Sequence, residues 1–199
     1  MVRPVRIGVL ALQGDVEEHL DALRRCSVDA VRVRRPEELV QVDGLIIPGG
    51  ESTTVGKLMQ RFGLDLAIMK AAAEGKPIFG TCTGMIVLSR EIIGSRQPRL
   101  GLIDLSVLRN AFGRQVDSFE ANLDIAAIGG PPVRAIFIRA PWIEMAGPGV
   151  DVMASVDGKG VMAQQGSVMV SSFHPELTED CRVHQYFVNL VQTFVNQQV

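Results

Sequence analysis

The sequence predicts an α/β fold: an open, mostly parallel sheet flanked by helices, with antiparallel strands added in the second half. Three observations carry this expectation. Runs such as "VRIGVLAL" (5–12) and "DGLIIPGG" (43–50) are too continuously apolar for a sheet with one wet face, so they read as strands covered on both sides. The stretches between such runs in the first half have helical periodicity. From about residue 100 onward the chain changes to short strand-like pieces separated by Gly, Pro, Asn and Asp.

Taken in order, "VRIGVLAL" is the first strand, and "GDVEEHLDALRRC" (14–26) follows as a helix with Val16, Leu20 and Leu23 on one face and Asp15 as candidate cap. "DAVRVRR" (29–35) and "DGLIIPGG" are two further strands, and "VGKLMQRFGLDLAIMKAAAEG" (55–75) is one or two helices ending at Gly75. "PIFG" (77–80) is a short buried strand with Pro77 at its first position, where a missing N–H matters least. "GMIVLSREI" (84–92) resumes as helix. "LGLIDLSVLRN" (100–110), "VRAIFIRA" (133–140), "VDVMASVDG" (150–158), "GVMAQQG" (160–166) and "SVMVSSF" (167–173) are then expected to extend the sheet through antiparallel strands and hairpins. A final helix over "CRVHQYFVNLVQTFV" (181–195) sets Val183, Phe187, Leu190, Val191 and Phe194 on one face. No repeat or linker interrupts the chain, so one domain is expected over residues 1–199.

Composition narrows the function classes. With 47% hydrophobic and 21% charged residues the chain is ordinary for a globular domain, and a formal charge of −2 with scattered basic residues gives no nucleic-acid footprint. No stretch approaches the roughly 18 apolar residues of a membrane span, and no signal-peptide core is present, so a cytoplasmic protein is expected. Cys26, Cys82 and Cys181 are an odd number at irregular spacing, with no CxxC pair and no zinc-type cluster. Neither a disulfide framework nor a metal is indicated, and each thiol has to be judged by its surroundings.

The chemistry concentrates in three places. "GTCTG" (80–84) has the form of a nucleophile elbow and stands where a strand gives way to a helix. A tight turn of that kind exposes its central side chain, needs small flanking residues, and sets the sulfur at a helix N-terminus that favours thiolate. The bland alternative is a small buried cysteine in a strand-to-helix turn. In "SFHPEL" His174 precedes Pro175, which biases it to an extended backbone, and Glu176 two residues on would lie on the same side to orient the imidazole toward Cys82. Alone, "HPE" reads as a solvated surface turn. "IIPGGESTT" (46–54) is a second strand-to-helix turn able to present backbone N–H groups to an oxyanion, with Gly50 the best donor and Thr83, after the elbow cysteine, the second. It could instead hold a phosphate, but the terminal Gly-Lys-Ser/Thr of a nucleotide loop is missing, and a plain turn capped by Ser52 or Thr53 is compatible with either.

In this chain order the pieces resemble the class I, triad glutamine amidotransferases. "GVLALQGDVEEH", "GLIIPGGESTT", "GTCTGM", "RNAFGRQVDSFE", "FIRAP" and "SSFHPELTED" are similar in particular to the glutaminase subunits of pyridoxal 5'-phosphate synthases, over nearly the whole chain. The resemblance implies a flavodoxin-like amidotransferase fold and a glutaminase that hands ammonia through a tunnel to a (β/α)8-barrel synthase subunit making vitamin B6. It implies Cys82 as nucleophile, His174 and Glu176 as the rest of the triad, and L-glutamine as substrate with no metal or organic cofactor. By matching position, Gly50, Glu51 and Ser52 line the glutamine site, Arg109, Ile138 and Arg139 contact the substrate, and Gln13 lies near the synthase interface and the oxyanion region. Thr83 departs from the family, which commonly has Ala there, but keeps the backbone N–H that the oxyanion needs.

Two other functions stay open at this level: a triad glutaminase serving another synthase, and a non-catalytic α/β module whose Cys82 senses oxidants. The remaining candidates read as bland. Cys26 is expected to pack in a helix, Cys181 to start one without a partner, His19 and His184 to be solvated helix positions, and Trp142 to cover the edge of the site.

Overall fold

A computed structural model of the chain describes residues 4–111 and 118–198. Five parallel strands form its centre in the order β2 (Asp29–Val33), β1 (Arg6–Leu10), β3 (Gly44–Ile47), β4 (Ile78–Thr81) and β12 (Val168–Ser171). Every residue of β3, β4 and β12 is buried, as continuous apolar runs require. Beyond β12 the sheet turns antiparallel through β11 (Lys159–Gln165), β9 (Trp142–Ala146) and β6 (Ile103–Leu108), while β10 (Asp151–Val156) pairs with β11. β5 (Ser89–Ile92) closes the far edge parallel to β6, and β7 (Ser118–Leu123) with β8 (Val133–Ile138) forms a separate antiparallel ribbon.

Helices cover both faces. α1 (Val16–Arg25) and α6 (Arg182–Gln197) pack on one, where Phe187 meets Phe79 of β4 with ring centroids 5.6 Å apart. α2 (Pro36–Leu39), α3 (Ser52–Arg61), α4 (Leu64–Ala73) and α5 (Thr83–Leu88) cover the other, around Leu45, Ile47, Met59, Ile68 and Met85. Gly63, at φ 68°, breaks the long helical stretch of the sequence into α3 and α4. Among the described residues no helix is long and apolar enough to cross a membrane.

The fold class agrees with the sequence, and several elements do not. "GMIVLSREI" is helical only through Leu88: the Ser89 hydroxyl donates to the Met85 carbonyl and the backbone turns extended at Ser89, so residues 89–92 become an edge strand. "SVMVSSF" was expected among the antiparallel additions, yet β12 is parallel to β4 and belongs to the central sheet. "VRAIFIRA" does not join the main sheet but pairs with β7. The short helix α2 and the strands β7 and β9 had no counterpart among the expected elements. The "FGRQVD" part of the motif starting at Arg109 lies outside the described residues.

Candidate active site

The carboxyl ends of β3, β4 and β12 lie side by side, with the loop after β1 next to them, and this is the position at which open α/β sheets collect their functional loops. β4 ends at Thr81 and α5 starts at Thr83, so Cys82 occupies the whole turn, at φ 49° and ψ −99°. Non-glycine residues reach that conformation only at a cost of about 1–3 kcal/mol. Two bonds hold it: the Cys82 N–H donates to Ser171 of β12 at 2.7 Å, and the thiol to the Ile138 carbonyl at 3.9 Å. The flanking glycines are steric necessities, since a Cβ on Gly84 would stand 2.2 Å from the Ile47 carbonyl oxygen and one on Gly80 2.5 Å from the Gly84 backbone.

His174 follows β12, its N–H fastened to the Ile136 carbonyl of β8 at 2.8 Å. Nδ1 is 2.7 Å from Glu176 Oε1 and 3.3 Å from Asp15 Oδ2, and the imidazole shares the cavity wall with Cys82. Two carboxylates around one ring nitrogen make Nδ1 the donor, which leaves Nε2 for the thiol. Burial by itself would lower the pKa of His174. Its interactions with Asp15, Cys82 and Glu176, and the charge of Glu176, outweigh it and raise the pKa, so the imidazolium is favoured at neutral pH. Burial pushes Glu176 up, and His174 opposes that.

The sequence brought His174 and Glu176 together for a partly mistaken reason. Residues 175–177 are a 3-10 turn rather than extended chain, and the tight turn brings the Glu176 carboxylate back under the imidazole. Asp15 is at the N-cap of α1 but makes no side-chain cap bond; its carboxylate faces His174 instead. Asp15, His174 and Glu176 are close enough to one another to invite a metal. The 2.7 Å approach of Nδ1 to Oε1 is a hydrogen bond, however, and it occupies the nitrogen a metal would need.

A cavity of about 370 Å³ opens above the thiol, lined by Gln13, Asp15, Gly50, Glu51, Ser52, Cys82, Thr83, Ile86, Arg109, Asn110, Ile138, Arg139 and His174 among others. All the catalytic and substrate-contacting residues expected from sequence are on this wall except Glu176, which lies behind His174. Asp15, Ile86 and Asn110 are additions. Asn110 at φ 48° and Arg139 at φ 44° have left-handed backbones like Cys82, so strained conformations gather around the cavity.

The loop after β3 is held from several sides. The Gly50 carbonyl accepts from the Thr83 hydroxyl at 2.5 Å, and the Glu51 N–H of the same peptide donates to Gln13 Oε1 at 2.7 Å. The Gly49 carbonyl accepts from the Asp15 N–H at 3.1 Å. Among the described residues no bond of the Gly50 N–H is found, which keeps it open as a donor to an oxyanion. Ser52 and Thr53 were weighed as caps of α3, but Glu51 does it: its carboxylate accepts from the N–H groups of Thr53 and Thr54 and from the Thr54 hydroxyl. Those bonds, the Thr54 hydroxyl's first, lower its pKa to about 2. Gln97, not singled out by the sequence, accepts from Arg109, Ser52 and Thr53 and so ties the Arg109 guanidinium to the start of α3.

The bland candidates need correction. His19 and His184 are not solvated; both are fully buried, with His19 Nδ1 3.0 Å from His184 Nε2. Cys181 does have a neighbour, because the Cys26 thiol donates to its carbonyl at 3.8 Å. Trp142 is absent from the cavity wall; its indole donates to Glu144 and Lys159 stands over its ring.

A thiol on a strained strand-to-helix turn, an imidazole beside it and a carboxylate behind, all at the carboxyl edge of a parallel sheet, have the layout of the triad amidotransferases. The profile of the SNO glutamine amidotransferase family matches residues 9–193, and the chain belongs to that family. It is 55% identical over 187 residues to the pyridoxal 5'-phosphate synthase subunit PdxT of Carboxydothermus hydrogenoformans, covering 94% of this chain and 98% of that one. It is 56% identical to the protein of the same name in Pelotomaculum thermopropionicum, over 92% and 94% of the two chains. A crystal structure of a glutamine amidotransferase superposes with a TM-score of 0.89 at 49% identity, over 93% of this chain and 98% of the other.

Proposed function

We propose that the chain hydrolyses L-glutamine to glutamate and ammonia through Cys82, His174 and Glu176, and delivers the ammonia to the barrel subunit of a pyridoxal 5'-phosphate synthase. The observation that carries the chemistry is His174 itself, 2.7 Å from Glu176 and on the wall of the same cavity of about 370 Å³ as Cys82. The partner is supported by the full-length likeness to chains named as subunits of that synthase.

The Cys82 thiolate attacks the carboxamide carbon of glutamine; a C–S bond forms and the carbonyl electrons move to oxygen, toward the N–H groups of Gly50 and Thr83. The tetrahedral species collapses with cleavage of the C–N bond, and His174 Nε2 gives its proton to the departing nitrogen, leaving ammonia and a glutamyl thioester. His174, now neutral, takes a proton from water and so becomes imidazolium again, the hydroxide adds to the thioester, and collapse expels the thiolate and frees the product, whose new carboxyl group loses its proton to solvent as glutamate. Gly50, Glu51, Ser52 and Ile138 shape the substrate site. Arg109 and Arg139 supply positive charge suited to the α-carboxylate. The cycle uses no metal or organic cofactor. A reduced thiol is required throughout, in keeping with a cytoplasmic setting.

Ammonia release from glutamine, measured with the barrel subunit present, tests the reading. Cys82→Ala should lower it at least about a thousandfold, the scale on which loss of a triad nucleophile is felt. Undiminished release would overturn the assignment.

A further inference from the structure

Directly behind the triad lies a pair of imidazoles that the mechanism above does not use. His19 of α1 and His184 of α6 have no exposed surface, and their rings meet with centroids 5.2 Å apart. His19 Nε2 is 3.0 Å from the hydroxyl of Thr81, the residue before the nucleophile, and 3.3 Å from Glu176 Oε2. Among the described residues Oε2 has no well-aligned hydrogen-bond donor, although it is buried and its twin Oε1 is engaged by His174. His19 Nε2 is a polar atom within reach of it.

The proton positions follow from the contacts. Two N–H groups cannot face each other at 3.0 Å, so between His19 Nδ1 and His184 Nε2 one nitrogen donates and the other accepts. If His19 were the donor, its Nε2 would turn a bare lone pair toward the Glu176 carboxylate, and His184 would carry its proton on Nδ1, which is buried without a partner. A buried unpaired donor together with repulsion at a carboxylate is the costlier arrangement. With His184 as donor, the His19 proton sits on Nε2, shared between Thr81 Oγ1 and Glu176 Oε2, and only an unprotonated nitrogen of His184 is left without a partner. Burial, the largest influence, lowers the pKa of both rings, so the donor facing Oε2 is neutral. A neutral donor steadies the carboxylate without drawing its charge away from His174.

We infer that His19, held in its tautomer by His184, is a positioning residue for the reaction: it fixes the second oxygen of Glu176, and through it the orientation of His174, while bracing Thr81 at the root of the elbow. This rests on the reading of Cys82, His174 and Glu176 as the reacting triad. The path is physical and short, from α6 through α1 to the turns that carry the nucleophile and the carboxylate.

The test compares His19→Phe, His19→Gln and His184→Phe in the chain with the barrel subunit present, well below each variant's melting temperature. His19→Phe should lower kcat by about tenfold to a hundredfold, the range for loss of an orienting partner, with little change in KM. His19→Gln, whose amide nitrogen falls near the position of Nε2, should recover most of that loss. His184→Phe, which frees the tautomer, should fall between them. Nitrogen-15 spectra of the imidazoles should show both rings neutral and protonated on Nε2 at pH 7, and this measurement decides even if His19→Phe does not fold. A wild-type kcat in His19→Phe, a His19→Gln as slow as His19→Phe, or a His19 protonated on Nδ1 would each overturn the inference. Activity surviving in Cys82→Ala would bring down the triad reading instead, so the two failures are distinguishable.

Discussion

The hydroxyl of Thr83, the residue after the elbow cysteine, has found a use. It donates to the Gly50 carbonyl at 2.5 Å while Gln13 receives the N–H of the same peptide, so the plane beside the nucleophile is gripped from both sides. Thr83→Val keeps the shape and removes the grip; losing one such bond costs about 1 kcal/mol, or about 2–4 °C of melting temperature in a chain of this size. The backbone N–H offered to the oxyanion is untouched, so kcat should stay within about fivefold of wild type, a change of no more than about 1 kcal/mol. A melting temperature identical to wild type in Thr83→Val would mean the hydroxyl holds nothing. At this scale the sequence was informative where a motif fixes a role and silent where only packing does. Cys82 and His174 were legible from the elbow and from H-P-E. Asp15 reads as a helix cap from position alone, and nothing in "DVEEH" reveals that His19 turns inward to meet a residue 165 positions away.

Elements were legible where one period dominated. β1 from Ile7 on, β3, and β4 up to Gly80 are uninterrupted apolar runs, and the Val183, Phe187 and Val191 stripe of α6 repeats at helical spacing. Residues 89–92 were misread because "GMIVLSREI" is apolar enough for either period, and the decision falls to one serine hydroxyl bonding back to Met85. The sequence likewise gives no sign that "HPE" closes as a 3-10 turn, although that turn is what brings the carboxylate to the imidazole. α3 offers the test at this scale. Its N-terminus is capped by Glu51, whose pKa is lowered from 4.5 to about 2 by those bonds. A carboxylate with a depressed folded-state pKa contributes stability that is present above the unfolded value and lost as pH falls through the folded one. Glu51→Ala should therefore cost about 1 kcal/mol at neutral pH. Thermal melts of the two proteins should converge as pH is lowered from about 4.5 to about 2. A gap that is constant across that range would show that the carboxylate charge is not what caps the helix.

Across the whole molecule, the sides of the site are delivered from separate places in the chain: Gln13 and Asp15 after β1, Gly50 after β3, Cys82 after β4 and His174 after β12 at one edge of the main sheet, and Ile138 and Arg139 from the end of β8 in the separate ribbon. Catalysis thus depends on the mutual placement of loops, which a docked protein can alter, more than on any single rigid element. Gln13 is the handle that the geometry offers, because it is exposed and yet holds the Glu51 N–H next to Gly50, the proposed oxyanion donor. A barrel subunit pressing on the loop after β1 would act through that one bond on the Gly50 peptide. It would also cover the cavity, so that ammonia leaves toward the acceptor and not into water. The chain alone should accordingly be a poor glutaminase, and adding the synthase subunit should raise kcat/KM at least about fivefold, the lower end of ordinary coupling between sites. Gln13→Ala should shrink that ratio while leaving tight association of the two subunits intact, because it removes the lever without removing the surface. Steady-state ammonia release for each chain, with and without saturating synthase, measures both quantities. Equal rates in the two conditions would sink the coupling, and an undiminished ratio in Gln13→Ala would place the lever elsewhere.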